Sequence, residues 1–175
     1  MKAFDVSRAE AKLLYRVIRS KQDIQIYVQS EAVPQWERIE HNGFRCMRSK
    51  NINGLIDLFC MDQILRFSLL GCPSKKVAGN GKNSQRVILR SENEQLDWLK
   101  RQGEKNGFKT LEAYVAGNAE LLSGKKTSGE FHLAGIPFEG VLQIADPDAF
   151  RKGFENGIGA EKAYGFGMLM VMKKA

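Results

Sequence analysis

The stretch Asp146-Pro147-Asp148-Ala149-Phe150-Arg151-Lys152-Gly153-Phe154-Glu155-Asn156-Gly157-Ile158-Gly159-Ala160-Glu161-Lys162-Ala163-Tyr164-Gly165-Phe166-Gly167-Met168-Leu169-Met170-Val171-Met172 decides the fold. Asp146 before Pro147 is a helix start: the carboxylate can cap the first amides, and proline at the first helical position gives up an N–H that would be unpaired anyway. Phe150 and Phe154, four apart, share one face, and Asn156-Gly157 is a stop. Four glycines follow in the spacing G-x-G-x5-G-x-G, and the run from Phe166 to Met172, which includes the last of them, reads as a buried strand. A glycine-rich link of this kind lets backbone N–H groups approach a phosphate closely, and Lys162 adds a charge within it. The plainer reading is that the glycines only permit tight turning between helix and strand.

Upstream, Phe131 to Ile144 reads as a strand interrupted at Gly135-Ile136-Pro137, with Phe138, Val141, Leu142 and Ile144 facing a core. Ser123 to Gly129 reads as a flexible basic loop and Leu111 to Val115 as a strand. Ser91 with Glu94 is a capping-box signature opening a helix that carries Leu96, Trp98 and Leu99 and ends near Gly103 or Gly107, its charged side a solvated face. From Pro73 to Arg90 the chain holds Lys75, Lys76, Lys82, Arg86 and Arg90 with no acidic residue, a basic loop or hairpin. Leu65, Phe67 and Leu69 alternate with polar residues in a strand over Ile64 to Leu70. The carboxyl half thus runs strand, helix, strand, strand, helix, strand. That is the order of a ferredoxin-like unit and of RNA-recognition motifs.

In the amino-terminal half, Ser7 to Lys12 reads as the end of a helix. Leu13 to Arg19 and Ile24 to Val28 form a hairpin about the turn Ser20-Lys21-Gln22-Asp23. Pro34 to Glu40 is a short helix or turn, Gly43 to Lys50 is extended, and Asn53 to Met61 is a helix or a strand. The expected architecture is α+β: two tandem ferredoxin-like domains, 1–62 and 63–175, the first lacking its first strand and most of its first helix.

The 175 residues are 43% hydrophobic, enough for a packed core, and carry a formal charge of +7 that favours phosphate-rich partners. No apolar run approaches a membrane span, and the first residues show no signal core, so a soluble, cytoplasmic protein is expected. Cys46, Cys60 and Cys72 have no CxxC spacing, and His41 and His132 stand in no ligand spacing. Neither a metal nor a cofactor is expected. The expected phosphate-binding surface, which the resemblance given below makes an RNA surface, combines Lys75, Lys76, Lys82, Arg86, Lys125, Lys126 and Lys162 with Gly157, Gly159, Gly165 and Gly167. Tyr15, Tyr27 and Phe44 could stack on bases, although strand aromatics more often belong to a core.

Gly157-Ile158-Gly159, Lys162 and Gly165-Phe166-Gly167-Met168-Leu169, preceded by Phe138-Glu139-Gly140-Val141-Leu142, resemble the carboxyl terminus of the CRISPR-associated CasE proteins, the repeat-RNA endoribonucleases of type I-E Cascade complexes. Leu13-Leu14-Tyr15-Arg16-Val17, Val28-Gln29-Ser30, Leu65-Arg66-Phe67-Ser68-Leu69 and the basic stretch after Pro73 extend the resemblance over nearly the whole chain. It implies tandem ferredoxin-like domains that bind the CRISPR repeat hairpin, cut at its 3′ base without metal, and stay bound beside the other Cascade subunits. The family's cleavage depends on a histidine in the first helix, expected a few residues before Met1. His41 and His132 do not match it, so no catalytic residue is assigned. The alternative is a non-catalytic subunit that caps a guide-RNA 3′ hairpin; a third reading is an unrelated ferredoxin-like protein for a small anionic ligand. On the first reading the chain binds a repeat hairpin and cleaves it poorly. Robust cutting in EDTA with both His41 and His132 replaced by alanine would contradict that expectation.

Overall fold

The computed structural model describes residues 3–40, 45–77, 85–126 and 129–173. The chain opens with turns over residues 7–12. Ala11 N–H reaches the Ser7 carbonyl at 3.0 Å, but Lys12 adopts φ 44°, and this left-handed residue ends the turn. The helix expected at Ser7 to Lys12 is therefore not continued. Strands β1 (Leu14–Arg19) and β2 (Ile24–Gln29) pair antiparallel, Leu14 opposite Gln29 and Arg19 opposite Ile24. Their turn is fixed by Ser20, whose Oγ accepts from Asp23 N at 3.0 Å while its N–H donates to the Asp23 carbonyl at 2.9 Å. Two single-turn helices follow, α1 (Glu37–Glu40) and α2 (Asn53–Ile56). The described part of the segment expected to be extended, 45–50, has no strand pairing.

The carboxyl portion comprises β3 (Ile64–Gly71), β4 (Ser74–Val77), β5 (Gln85–Ile88), α3 (Glu92–Lys105), β6 (Phe108–Val115), β7 (Glu120–Lys126), β8 (Gly129–Ile144), α4 (Pro147–Asn156) and β9 (Leu169–Lys173). The main sheet has the order β6-β8-β3-β9, every pairing antiparallel. With β3-α3-β6 and β8-α4-β9 as its two halves, this is the ferredoxin-like arrangement: the first strand of each half lies at the centre and the second at an edge. The period of two places Leu65, Phe67 and Leu69 of β3 on the same face as Phe138, Leu142 and Ile144 of β8 and Leu169 of β9. Trp98 and Leu99 of α3 and Phe150 and Phe154 of α4 cover that face and complete one core. Phe150 is fully buried and makes edge-on ring contacts with Phe59 at 4.9 Å and Phe108 at 6.0 Å between centroids.

Two expectations about the basic and glycine-containing segments are corrected. Residues 123–126 belong to β7, which pairs with the first half of β8 from Glu120 opposite Gly135 to Lys126 opposite Gly129. Gly124 is there because the Phe131 ring lies over it: a Cβ would stand 2.9 Å from the ring, so the glycine serves packing rather than flexibility. The interruption expected at Gly135-Ile136-Pro137 is also absent, and β8 runs unbroken from 129 to 144. Pro137 lacks an N–H, but its carbonyl accepts Ala116 N–H at 2.8 Å, and its neighbours keep their pairing with β3. Gly135 itself admits the Phe166 ring, 2.4 Å from an added Cβ.

Truncating Phe150 removes the ring at the centre of these contacts. Phe150→Ala should cost about 3–5 kcal/mol in urea denaturation with an unchanged m value.

Candidate nucleic-acid interface

The site begins with a cap. Ser91 stands before α3 in extended conformation, and its Oγ accepts from Glu94 N at 3.4 Å. The Glu94 carboxylate in turn accepts from Ser91 Oγ at 3.1 Å and from Lys75 Nζ at 3.1 Å. Those hydrogen bonds, Lys75 first and then Ser91, hold the Glu94 carboxyl below its ordinary range. One side chain thus completes the capping box and ties the β4–β5 hairpin to the start of α3. Across the helices, Arg101 and Lys105 are four residues apart on α3, and Lys152 and Asn156 are four apart on α4. That spacing sets each pair on one helix face.

These elements enclose a groove of about 660 Å³ whose walls carry six cations: Lys75, Arg86, Arg101, Lys105, Lys152 and Lys162. Its other polar lining includes Ser74, Gln102, Asn106 and Asn156, and none of the described residues that line it is acidic. Glu94, outside the lining, pairs with Lys75 alone, and the like charge of the other cations focuses a positive field into the concave surface. Burial, and then repulsion from Lys105, pulls the Lys162 ammonium pKa below the ordinary lysine value. An anion in the groove would stabilise the charged form and reverse that shift.

The glycine segment forms one wall, and its glycines divide by role. Gly157, Gly159, Gly165 and Gly167 all have φ between 77° and 87°, where side chains are strained. A Cβ on Gly157 would meet Leu14 at 2.9 Å, one on Gly165 would meet the Tyr15 ring at 3.0 Å, and one on Gly167 would meet the Ile158 carbonyl oxygen at 2.5 Å. Gly159 lies against the Trp98 ring, 2.8 Å from an added Cβ. Ile158 N–H donates to the Gly167 carbonyl at 2.8 Å and Gly167 N–H to the Leu70 carbonyl at 2.7 Å, closing the loop on itself and on β3. At the apex, Gly159 and Ala160 line the groove, and among the described residues their N–H groups donate to no protein acceptor. Glu161 follows in the left-handed region with φ 61°, then a single 3-10 turn over Lys162–Tyr164. Successive free amides beside a lysine make an anion-binding edge.

Of the residues expected from sequence to meet RNA, Lys75, Arg86, Gly157, Gly159 and Lys162 come together in the groove. Lys76 is exposed on β4 and does not line it. Lys125 is exposed on β7 and pairs with Glu130 at 3.4 Å, apart from the groove. Lys126 has its backbone paired opposite Gly129, its side chain lying outside what the structure describes, and Lys82 lies outside the described residues altogether. Gly165 and Gly167 act in packing. Tyr15 packs on Gly165 and donates to the Ala163 carbonyl at 3.1 Å, whereas the Tyr27 hydroxyl donates to Gln25 Oε1 at 3.2 Å on the surface. Phe44 and His41 lie outside the described residues. His132 is exposed on β8 opposite Ser123, away from the groove lining.

Sequence reasoning missed Arg101, Lys105 and Lys152. By sequence the first two belong to a solvated face of α3, which is true of the helix alone. The available signal was the i, i+4 cation pair following Trp98, the residue that packs on the glycine segment. Among the described residues no group of three or more His, Cys, Asp or Glu side chains is placed to hold a metal ion, and no helix is long and apolar enough to cross a membrane.

Gly159 should tolerate no side chain, because both its φ of 82° and the Trp98 ring oppose one. Gly159→Ala should lower stability by about 1–3 kcal/mol, read by thermal denaturation, and a neutral result would contradict the packing described.

A profile for the family described as CRISPR associated protein matches residues 1–173. The CRISPR-associated endoribonuclease Cse3 of Thermus thermophilus is 29% identical over 183 residues, covering 95% of this chain and 84% of its own length. A solved structure of Thermus thermophilus Cse3 bound to an RNA representing a pre-cleavage complex superposes with a TM-score of 0.79 at 26% identity, over 91% of this chain and 78% of that one. The crystal structure of Cas6e from Escherichia coli shares the fold, with a TM-score of 0.69 at 22% identity over 93% of this chain and 84% of its own. The α+β architecture is therefore the tandem ferredoxin-like one of Cse3 and Cas6e, and the chain belongs to the CRISPR-associated protein family of which Cse3 (CasE) is a member.

Proposed function

We propose that this chain binds the hairpin of CRISPR repeat RNA in the groove between α3, α4, the β4–β5 hairpin and the glycine segment. On this reading it acts in the cytoplasm as the RNA-processing and RNA-holding subunit of a Cascade complex. The observation that carries the reading is the set of six cations around the groove, with no acidic residue among the described residues lining it. An RNA duplex exposes phosphates spaced along both strands, and cations on two facing helices suit that arrangement better than a compact anion would. The relatives supply the rest: Cse3 is an endoribonuclease that has been solved with RNA, and a chain of a CRISPR RNA-guided surveillance complex shares the fold with a TM-score of 0.68 at 22% identity.

The same reading divides the chain into 1–62 and 63–175. A left-handed turn at Asp62, φ 62°, just before β3 supports that boundary; the segment leading to it packs on the second unit, the Asp62 N–H donating to the Ile144 carbonyl at 2.9 Å. Arg151 fastens the preceding segment to α4 through the carbonyls of Ile56 at 3.2 Å and Phe59 at 2.7 Å. Phosphate contacts from the groove bind shape and charge, so recognition of a particular repeat must come from groups outside this set.

Cation removal should act through salt. Arg101→Ala, Lys105→Ala and Lys152→Ala should each weaken binding of a repeat stem-loop and lower the slope of log K against log salt by about one, measured by filter binding across salt concentrations. His132→Ala should leave affinity, slope and any cleavage rate unchanged within about twofold, a change near the noise of such assays. Unchanged slopes in all three cation variants would sink the groove as the RNA site.

A further inference from the structure

Two side chains from the amino-terminal segment hold the glycine segment by adjacent carbonyls. Arg8 Nη2 donates to the Lys162 carbonyl at 2.5 Å and to the Leu13 carbonyl at 3.0 Å. The Tyr15 hydroxyl donates to the Ala163 carbonyl at 3.1 Å, and its ring lies on Gly165, which has no Cβ to keep it away. These are the first two residues of the 3-10 turn over 162–164, so fixing their peptide planes fixes the direction in which the Lys162 side chain leaves the backbone. That side chain enters the cationic groove, whereas neither Arg8 nor Tyr15 lines it. A smaller cleft of about 180 Å³, lined in part by Arg8, Lys12 and Leu14, shares Asn156 and Lys162 with the groove, so Arg8 stands in a cleft that adjoins the groove at Lys162.

We propose that Arg8 and Tyr15 are positioning residues for RNA binding: they aim Lys162 at a phosphate by holding the carbonyls of residues 162 and 163, without touching the RNA themselves. The proposal rests on the groove being the RNA site. A lysine on a glycine-rich loop would otherwise lose conformational freedom on binding, and ordering it beforehand removes that cost. The arrangement also makes the amino-terminal hairpin a condition for a competent groove in the carboxyl-terminal unit.

The test compares Lys162→Ala, Tyr15→Phe and Arg8→Gln, singly and with each of the last two combined with Lys162→Ala, in the full chain. The readouts are affinity for a CRISPR-repeat stem-loop RNA, its salt slope and the melting temperature. Lys162→Ala alone asks whether Lys162 meets a phosphate: if it changes neither affinity nor slope, the positioning proposal fails, while the groove itself is decided separately by the Arg101, Lys105 and Lys152 variants. If it lowers both, the positioning claim stands or falls on the other two variants. Tyr15→Phe should weaken binding about fivefold, the worth of one hydrogen bond, and lower the slope toward that of Lys162→Ala although it removes no charge. Arg8→Gln should do likewise, and neither should cause a further loss in the Lys162→Ala background. Additive losses in the double variants would mean that Arg8 or Tyr15 contacts RNA directly. A lowered melting temperature with wild-type affinity and slope would mean that they serve only the fold. Either result overturns the proposal, and the mild Tyr15→Phe change keeps it open to refutation should Arg8→Gln fail to fold.

Discussion

The hydrogen bond from Ile158 N–H to the Gly167 carbonyl, 2.8 Å long, closes a ten-residue segment on itself, and the groove depends on that closure. With its ends tied, and Gly167 N–H bonded to Leu70 in the central strand, the segment cannot trail from α4 to β9 as a slack connection. It rises as a wall beside Trp98 instead. Glycine at 167 is required because any side chain there would run into the carbonyl that Ile158 presents. The feature that sequence suggests is a phosphate-gripping loop is first a packing device. Its capacity to meet an anion is left to the short apex of Gly159, Ala160 and Lys162.

The two faces of the main sheet consequently have different tasks. One is covered by α3 and α4, and the edges of those helices furnish most of the groove's charge. On the other face, Tyr114 donates to Glu139 at 3.2 Å, and Arg16 of β1 reaches across to Ser68 Oγ at 2.8 Å. Burial lowers the Arg16 pKa, with Glu120 and Glu139 opposing that shift. That face sets Glu139 among the cations Arg16, Arg66 and Lys109, whereas the described groove lining holds cations and no acid. The unit has the strand order of an RNA-recognition motif while its phosphate-attracting surface lies on the helix side.

Much of this was legible in the sequence where the cause is local. Asp146 caps α4 by accepting from Asp148 N and Ala149 N, each at 3.0 Å, as the Asp-Pro pair implies, and Ser91 with Glu94 caps α3. The strand alternation at Leu65, Phe67 and Leu69 survives intact in the burial of those residues. What failed has non-local causes. Gly124 and Gly135 look like loop formers until Phe131 and Phe166 are seen lying over them. Ser7 to Lys12 looks helical by composition but is turned by the conformation of Lys12. The cations of α3 and α4 are separated by some fifty residues in sequence, and only the ferredoxin-like crossover stands the two helices side by side.

Lysine footprinting of the free and RNA-bound chain tests the central claim most directly, since acetylation reads the accessibility of each ammonium in a single experiment. The groove account predicts that a repeat stem-loop protects Lys105, Lys152 and Lys162, while Lys109 on the opposite sheet face and Lys125 on the β7–β8 hairpin stay reactive. Protection of Lys109 with Lys105, Lys152 and Lys162 still reactive would place the RNA on the open sheet face and contradict the account.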